Sequence, residues 1–390
     1  MKKINHLLII SMSLLVVACS TQHRIEQRTT EQNYQHATIL HDQNQGEPIR
    51  FWASQQPDFL YQNSRTTNLH VDHQTQFSIL ALSGGGANGA FGAGVLVGLH
   101  EKGQLPDYSV ITGISVGGLL APFVFVGGET LEALPSVILN INDKTLIGKK
   151  NFINALTKDA FSQKDKMLTF IKNTYSDQMI EEIAAQHRNG KRLFIGTTHF
   201  DSGELMVWNI GAIANSELPQ RVLLIHQVLA ATTAIPGVFP PQFFDVNDNN
   251  EQLEEMHVDG GLATQVFFNP ANFDYYKLSQ SLGLTRSPRL DVIRNGKLKS
   301  SYQAVADKGI PLITKSLSSL TTLQARGDIY RMKYLSEIEN IDMQFAYIDK
   351  DFSDQKKSRD LFDSHYMKVI YQYGYNKVVA GELWQTELPM

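Results

Sequence analysis

The chain has 390 residues, 42% of them hydrophobic and 19% charged, with 28 glycines and 13 prolines, proportions that exclude a mainly disordered, collagenous or disulfide-scaffolded protein. Lys and Arg total 35 against 39 acidic residues, a formal charge of −4, and basic runs do not exceed pairs such as Lys149-Lys150, so no nucleic-acid partner is expected. The single cysteine excludes intrachain disulfides and Cys-rich metal sites, which makes its position informative.

Met1-Lys2-Lys3 opens the chain, and residues 7–18 carry no charge and are polar only at Ser11 and Ser13, the form of a signal peptide. The run is too short for a membrane-spanning helix. It ends Val16-Val17-Ala18-Cys19, which resembles the lipobox of bacterial lipoproteins, where cleavage leaves the cysteine as a lipidated N-terminus. An ordinary secretory signal with an incidental cysteine is the alternative. Residues 1–18 are thus expected to be a lipoprotein signal peptide and Cys19 a membrane anchor, stable because several acyl chains hold where one would not. Ser20 resembles the outer-membrane sorting position of Gram-negative lipoproteins, so the expected location is the cell envelope.

Residues 19–76 are rich in Gln, Asn, Thr and His and read as a polar tether that becomes partly packed around Phe51-Trp52 and Phe59-Leu60. His70, Asp72 and His73 in such a stretch read as solvated, and no metal is expected. At residue 77 a folded core begins. Residues 77–82 form a short apolar run closed by Gly84-Gly85-Gly86, a buried strand, and residues 90–102 have helical spacing with Gly103 as a terminator. A strand at 108–114, a glycine turn at Ser115 and a helix over 119–126 repeat the pattern, which predicts a mostly parallel sheet. Residues 129–188 read as amphipathic helices, with Phe152, Leu156, Phe161, Leu168, Phe170 and Ile171 on their apolar positions. A hairpin of 192–198 and 204–210 turns at Asp201-Ser202-Gly203. A helix over 222–231 and a strand at 255–258 lead to Asp259-Gly260-Gly261. Strands at 290–293 and 343–348 and a helix over 363–383 complete the reading. The core is placed at 77–275, with 276–390 as a C-terminal α/β portion packed against it.

Gly113-Ile114-Ser115-Val116-Gly117 has the nucleophile-elbow pattern, a serine at a tight strand-to-helix turn whose flanking glycines leave room for a strained backbone. A glycine turn needed only for packing is the plain alternative. Gly84, Gly86 and Gly89 also satisfy a dinucleotide fingerprint, but the acid that should end the next strand is absent: Asp107 precedes that strand and Ser115 ends it. The same glycines can present backbone N–H groups to the oxyanion of an acyl-transfer intermediate. For the base, His365 lies on an expected helix, whereas Asp259 is delivered by a strand end with no bulky neighbours.

These pieces, in this order, resemble the patatin-like phospholipase family: Gly84 to Gly89 for the oxyanion loop, Gly113 to Gly117 for the nucleophile, Asp259-Gly260-Gly261 for the catalytic acid, and Ala231 to Pro241 for the segment preceding it. The resemblance implies a three-layer α/β/α sandwich and a cofactor-free, metal-independent acyl hydrolase acting on phospholipid or another acyl ester. In it Ser115 and Asp259 act as a dyad, Gly84, Gly85 and Gly86 form the oxyanion hole, and Gly113 and Gly117 shape the elbow. Asn88 departs from the family, many of whose members have Arg or Lys there, and no motif is assigned after about residue 275. Two further readings stay open: a Ser-His-Asp esterase using His365, and a non-catalytic lipoprotein that binds lipid or a protein. Phe239, Phe243 and Phe244 read either as core or as an acyl groove.

Overall fold

The computed structural model describes residues 27–39, 47–60, 69–70, 76–147, 166–268, 278, 281–300, 302, 304–353, 356–358 and 360–388. The expected signal peptide, Cys19, Asp72, His73, Phe152, Leu156 and Phe161 lie outside them. The strands are β1 (Thr38–Ile39), β2 (Arg50–Trp52), β3 (Ser78–Leu82), β4 (Val110–Ile114), β5 (Arg192–His199), β6 (Leu205–Asn209), β7 (Gln242–Asp248), β8 (Glu251–Asp259), β9 (Arg289–Ile293) and β10 (Asp342–Ala346). They form one sheet in the order β1-β7-β8-β5-β4-β3-β9-β10, with β6 on β5 and β2 on β6. The middle, β5-β4-β3-β9-β10, is parallel throughout, and the antiparallel pairs gather on the β5 side.

The longest helices among the described residues are α1 (Gly89–Glu101), α2 (Val116–Val126), α3 (Asp177–Arg188), α4 (Arg221–Thr232), α5 (Gly309–Ile338) and α6 (Ser364–Ala380). Side chains of β3 alternate between two cores, as the period of a strand requires. Leu80 and Leu82 join the core under α1, α2, α3, α4 and α6, while Ile79 and Ala81 join the core under the C-terminal half of α5. The sheet is therefore the middle layer of an α/β/α sandwich. Helix α1 is apolar on every side because it is covered on every side. Against it α6 packs backbone to backbone: a Cβ on Gly94 would stand 2.0 Å from the Tyr371 carbonyl oxygen, and one on Gly374 2.4 Å from that of Phe91.

Two parts of the sheet differ from the sequence reading. The strand expected over 255–258 begins at Glu251 and pairs in hairpin fashion with β7, a strand hidden by its polar residues. Residues expected to form a polar tether supply β1, on the sheet edge, and β2, whose Trp52 is buried. Arg50 of β2 reaches the buried Glu255 through Nη1 to Oε2 at 2.5 Å and Nη2 to Oε1 at 3.2 Å. That pairing is what lets polar residues lie inside.

β5 explains how distant parts of the chain meet. Its residues Phe194–Thr198 pair with β6 along one edge. The other edge is shared: β4 pairs in parallel with the first part, ending at Ile114 opposite Gly196, and β8 pairs antiparallel with the rest, beginning with Asp259 opposite Thr197. β4 and β8 therefore point at one another end to end, and the residues at their tips are neighbours.

Candidate active site

Ser115 follows the tip of β4 and precedes α2 with φ 53° and ψ −126°. The other non-glycine residues with positive φ among the described residues are asparagines, which tolerate it better. A serine held so costs about 1–3 kcal/mol, and its surroundings must impose it. Its N–H donates to Thr232 Oγ1 at 2.9 Å, and that hydroxyl donates to the Gly196 carbonyl at 2.6 Å, so α4 clamps the turn to β5. Gly113 and Gly117 make the turn possible by close approach. A Cβ would lie 2.7 Å from the Gly117 carbonyl oxygen at the first and 2.3 Å from that of Leu82 at the second.

The Ser115 hydroxyl, 144 positions away in sequence, donates to Asp259 Oδ2 at 2.7 Å. The other carboxylate oxygen accepts the Gly261 N–H at 2.7 Å, and the Asp259 carbonyl accepts Thr198 Oγ1 at 2.8 Å. Only 6% of Ser115 and 4% of Asp259 is exposed. Burial pushes the Asp259 carboxyl up to about 7, partly opposed by the hydrogen bonds from Ser115 and Gly261.

The glycine loop lies beside this pair, but its three glycines differ in role. Gly84 cannot be an oxyanion donor, contrary to the expectation, because its N–H is spent on the Gln265 carbonyl at 3.0 Å. It contributes by lacking a side chain, since a Cβ there would come within 3.2 Å of Ser115 Cβ. Gly85 and Gly86 are half-buried, and no hydrogen-bond acceptor for either N–H is found among the described residues, which leaves both able to receive negative charge. Asn88 is engaged elsewhere, its Oδ1 accepting the Tyr366 hydroxyl of α6 at 2.6 Å.

Sequence reasoning missed the support beneath the loop, Arg294 and Asn295. Both follow the tip of β9, the edge at which parallel sheets collect functional groups. Arg294 Nη1 donates to the Gly84 carbonyl at 2.8 Å and to Ser83 Oγ at 3.2 Å, and Asn295 Nδ2 donates to the Ser83 carbonyl at 2.8 Å. Burial lowers the Arg294 guanidinium to about 10, which leaves it charged at neutral pH. Arg294→Met should lower kcat for a soluble ester about tenfold to a hundredfold with KM little changed. Urea unfolding should fall by about 1–3 kcal/mol, because the Gly84 carbonyl loses a charged donor. Arg294→Lys should recover part of both, and an unaltered kcat in the methionine variant would exclude a positioning role.

His365 is placed on α6 at a half-buried position and has no hydrogen bond to Ser115 or Asp259. Asp107 sits before β4 and pairs with Lys191 and His70, far from a ribose-binding position. Among the described residues no group of three or more His, Cys, Asp and Glu side chains is placed to hold a metal. A recess opens at Ser115 and Gly86, walled by Leu119, Ile138, Ile141, Leu146, Met167, Phe239, Phe362 and Met367. Phe239 thus lines it. Phe244 instead packs on Trp208, ring centroids 4.6 Å apart, within the core.

A buried serine–carboxylate pair beside two unspent N–H groups and an apolar recess can form and release an acyl ester. A family model described as patatin-like phospholipase matches residues 80–272. Patatin-like protein 2 of Oryza sativa subsp. indica is 24% identical over 212 residues, 48% of this chain, and the chain spans about half the length of that relative, 49%. Among solved structures, VipD from Legionella pneumophila aligns over 95% of this chain and 73% of its own, at 11% identity and TM-score 0.39. ExoU from the type III secretion system of Pseudomonas aeruginosa aligns over 80% of this chain and 55% of its own, at 13% identity and TM-score 0.33.

Proposed function

Since residues 80–272 of this chain are a patatin-like phospholipase domain, we propose that the protein is a serine acyl hydrolase of phospholipids that works with Ser115 and Asp259 alone. The observation that carries the reading is the 2.7 Å hydrogen bond from Ser115 Oγ to Asp259 Oδ2 next to the glycine loop. Ser115 Oγ attacks the ester carbonyl while Asp259 takes its proton. The N–H groups of Gly85 and Gly86 receive the oxyanion, and the alkoxide leaves with the proton that Asp259 holds. Water then attacks the acyl enzyme by the same route. A carboxylate is ordinarily too weak a base for a serine, and burial narrows that mismatch by raising Asp259 to about 7. The apolar recess suits an acyl chain rather than a head group.

The same proposal places the protein on a membrane. Val16-Val17-Ala18-Cys19 supports a lipidated Cys19 and a cell-envelope location, with the catalytic core tethered to the lipid it acts on. Incubation of the purified protein with mixed phospholipid vesicles should yield free fatty acid and lysophospholipid, detected by mass spectrometry without added metal. Absence of both products from protein that is folded would reject the phospholipase reading.

A further inference from the structure

Helix α5 has 30 residues, about 45 Å, whereas the parallel strands it connects, β9 and β10, have five residues each, about 17 Å. Connecting two parallel strands, it runs antiparallel to them. Its end packs at the start of β10, where the Ser336 carbonyl accepts the Ile341 N–H at 2.8 Å. Its middle is fastened at the opposite edge, beside the catalytic carboxylate: Gln324 Nε2 donates to the Ala263 carbonyl at 3.1 Å, and Asp328 Oδ2 accepts the Gln265 N–H at 2.8 Å. The first fifteen residues, about 22 Å of helix, therefore project past the sheet on the side where Ser115 lies.

The described part of this arm exposes large apolar side chains. Leu317, Leu320 and Leu323 are 58%, 62% and 59% exposed, and Leu312 is half exposed. Among the described side chains of 309–324 none is buried, and the first that is, Ala325, begins the packed half. At 100° per residue Leu312, Leu320 and Leu323 fall on one side, opposite the buried Ala325, Ile329 and Met332. From 308 to 323 the charged residues are Lys308 and Lys315; Asp307 precedes this stretch, and Arg326 and Asp328 follow it in the packed half. Leu262, three residues after Asp259, adds a further exposed apolar side chain where the arm meets the catalytic segment. No helix among the described residues is long and apolar enough to cross a membrane.

We infer that the arm docks on an anionic phospholipid surface, with its leucines in the interfacial region and its cations against the head groups, and so presents the catalytic edge to the bilayer. Exposed leucines on one stripe with lysines beside them are what an interfacial helix needs, and a stretch of 308–323 that carries Lys308 and Lys315 and no acid matches a negative surface. The inference deepens the phospholipase reading and rests on it for its purpose, but binding can be measured without catalysis.

The test uses the full chain with Cys19→Ser and Ser115→Ala, which frees the protein of its one thiol and of turnover. An environment-sensitive fluorophore is attached at Leu320→Cys, Leu323→Cys or Ser318→Cys, the last on the opposite side of the helix. Mixed phosphatidylcholine–phosphatidylglycerol vesicles should brighten and blue-shift the probe at 320 and 323 much more than at 318, and added salt should weaken the response. Pure phosphatidylcholine should give little change. No response at 320 to anionic vesicles, or an equal response at all three positions, overturns the inference. A shift that grows with protein concentration in the absence of lipid also overturns it, in favour of a second copy of the chain. With Ser115 intact, Leu320→Glu/Leu323→Glu should cut hydrolysis of anionic vesicles about tenfold and leave a soluble short-chain ester unaffected. If no variant hydrolyses either substrate, the phospholipase reading fails while the fluorescence still decides the docking.

Discussion

Ser115→Ala is expected to remove essentially all ester hydrolysis, lowering kcat by roughly four orders of magnitude or more, as loss of a nucleophile does in serine hydrolases. Among the described residues the neighbouring threonine hydroxyls are engaged: Thr232 holds its oxygen between the Ser115 N–H and the Gly196 carbonyl, and Thr233 donates to the Leu229 and Ala230 carbonyls. The substitution keeps the backbone that the elbow imposes, so circular dichroism and the thermal midpoint should change little. Asp259 then retains the Gly261 N–H but loses its hydroxyl donor, and its carboxyl should rise further. Residual turnover above one hundredth of wild type, in folded protein, would mean that the hydroxyl is not the attacking group.

Asp259→Asn should be as damaging to catalysis and opposite in its effect on stability. The amide cannot accept the serine proton, so turnover should fall by several orders of magnitude. In the wild-type protein the base must be ionised, and kcat/KM should therefore rise with pH through about 7. The stability effect runs the other way. The folded carboxyl titrates near 7 against an ordinary 3.8, so the fold favours the protonated form. Its favourable contribution is complete below about 3.8 and is lost as pH climbs through about 7. That gap corresponds to at most about 4 kcal/mol. Urea unfolding of Asp259→Asn should match wild type near pH 4 and exceed it increasingly up to pH 8. An equal midpoint for the two proteins at both ends of that range would show that the buried carboxylate carries no such cost. A gain in stability with loss of activity is what a group strained by its function produces.

Much of this site is legible in the residues themselves, because local chemistry writes it. Gly113 and Gly117 bracket a serine that only a sharp turn would need, and Asp259-Gly260-Gly261 ends a short strand. The strand and helix readings around them hold because β3, α1, β4 and α2 are buried and uniformly apolar. What the residues do not write is pairing. That Ile114 and Asp259 face adjacent residues of β5 is a fact of register, carried by contacts between segments far apart in sequence. β2 and β7 escaped for a related reason: Arg50 signals a tether until Glu255 of β8 is seen to satisfy it, and the polar residues of β7 signal a turn until its pairing with β8 is seen. Gly84 could be separated from Gly85 and Gly86 only once its N–H was traced to Gln265. Arg294 carries no motif, and its importance comes from what lies above it.

Ser115 as a nucleophile activated by Asp259 is the central claim, and a fluorophosphonate tests it most directly. Peptide mass mapping after labelling should find the adduct on Ser115, formed faster as pH rises through about 7 and formed very slowly in Asp259→Asn. An unlabelled Ser115 in folded protein, or labelling equally fast in Asp259→Asn, would contradict it.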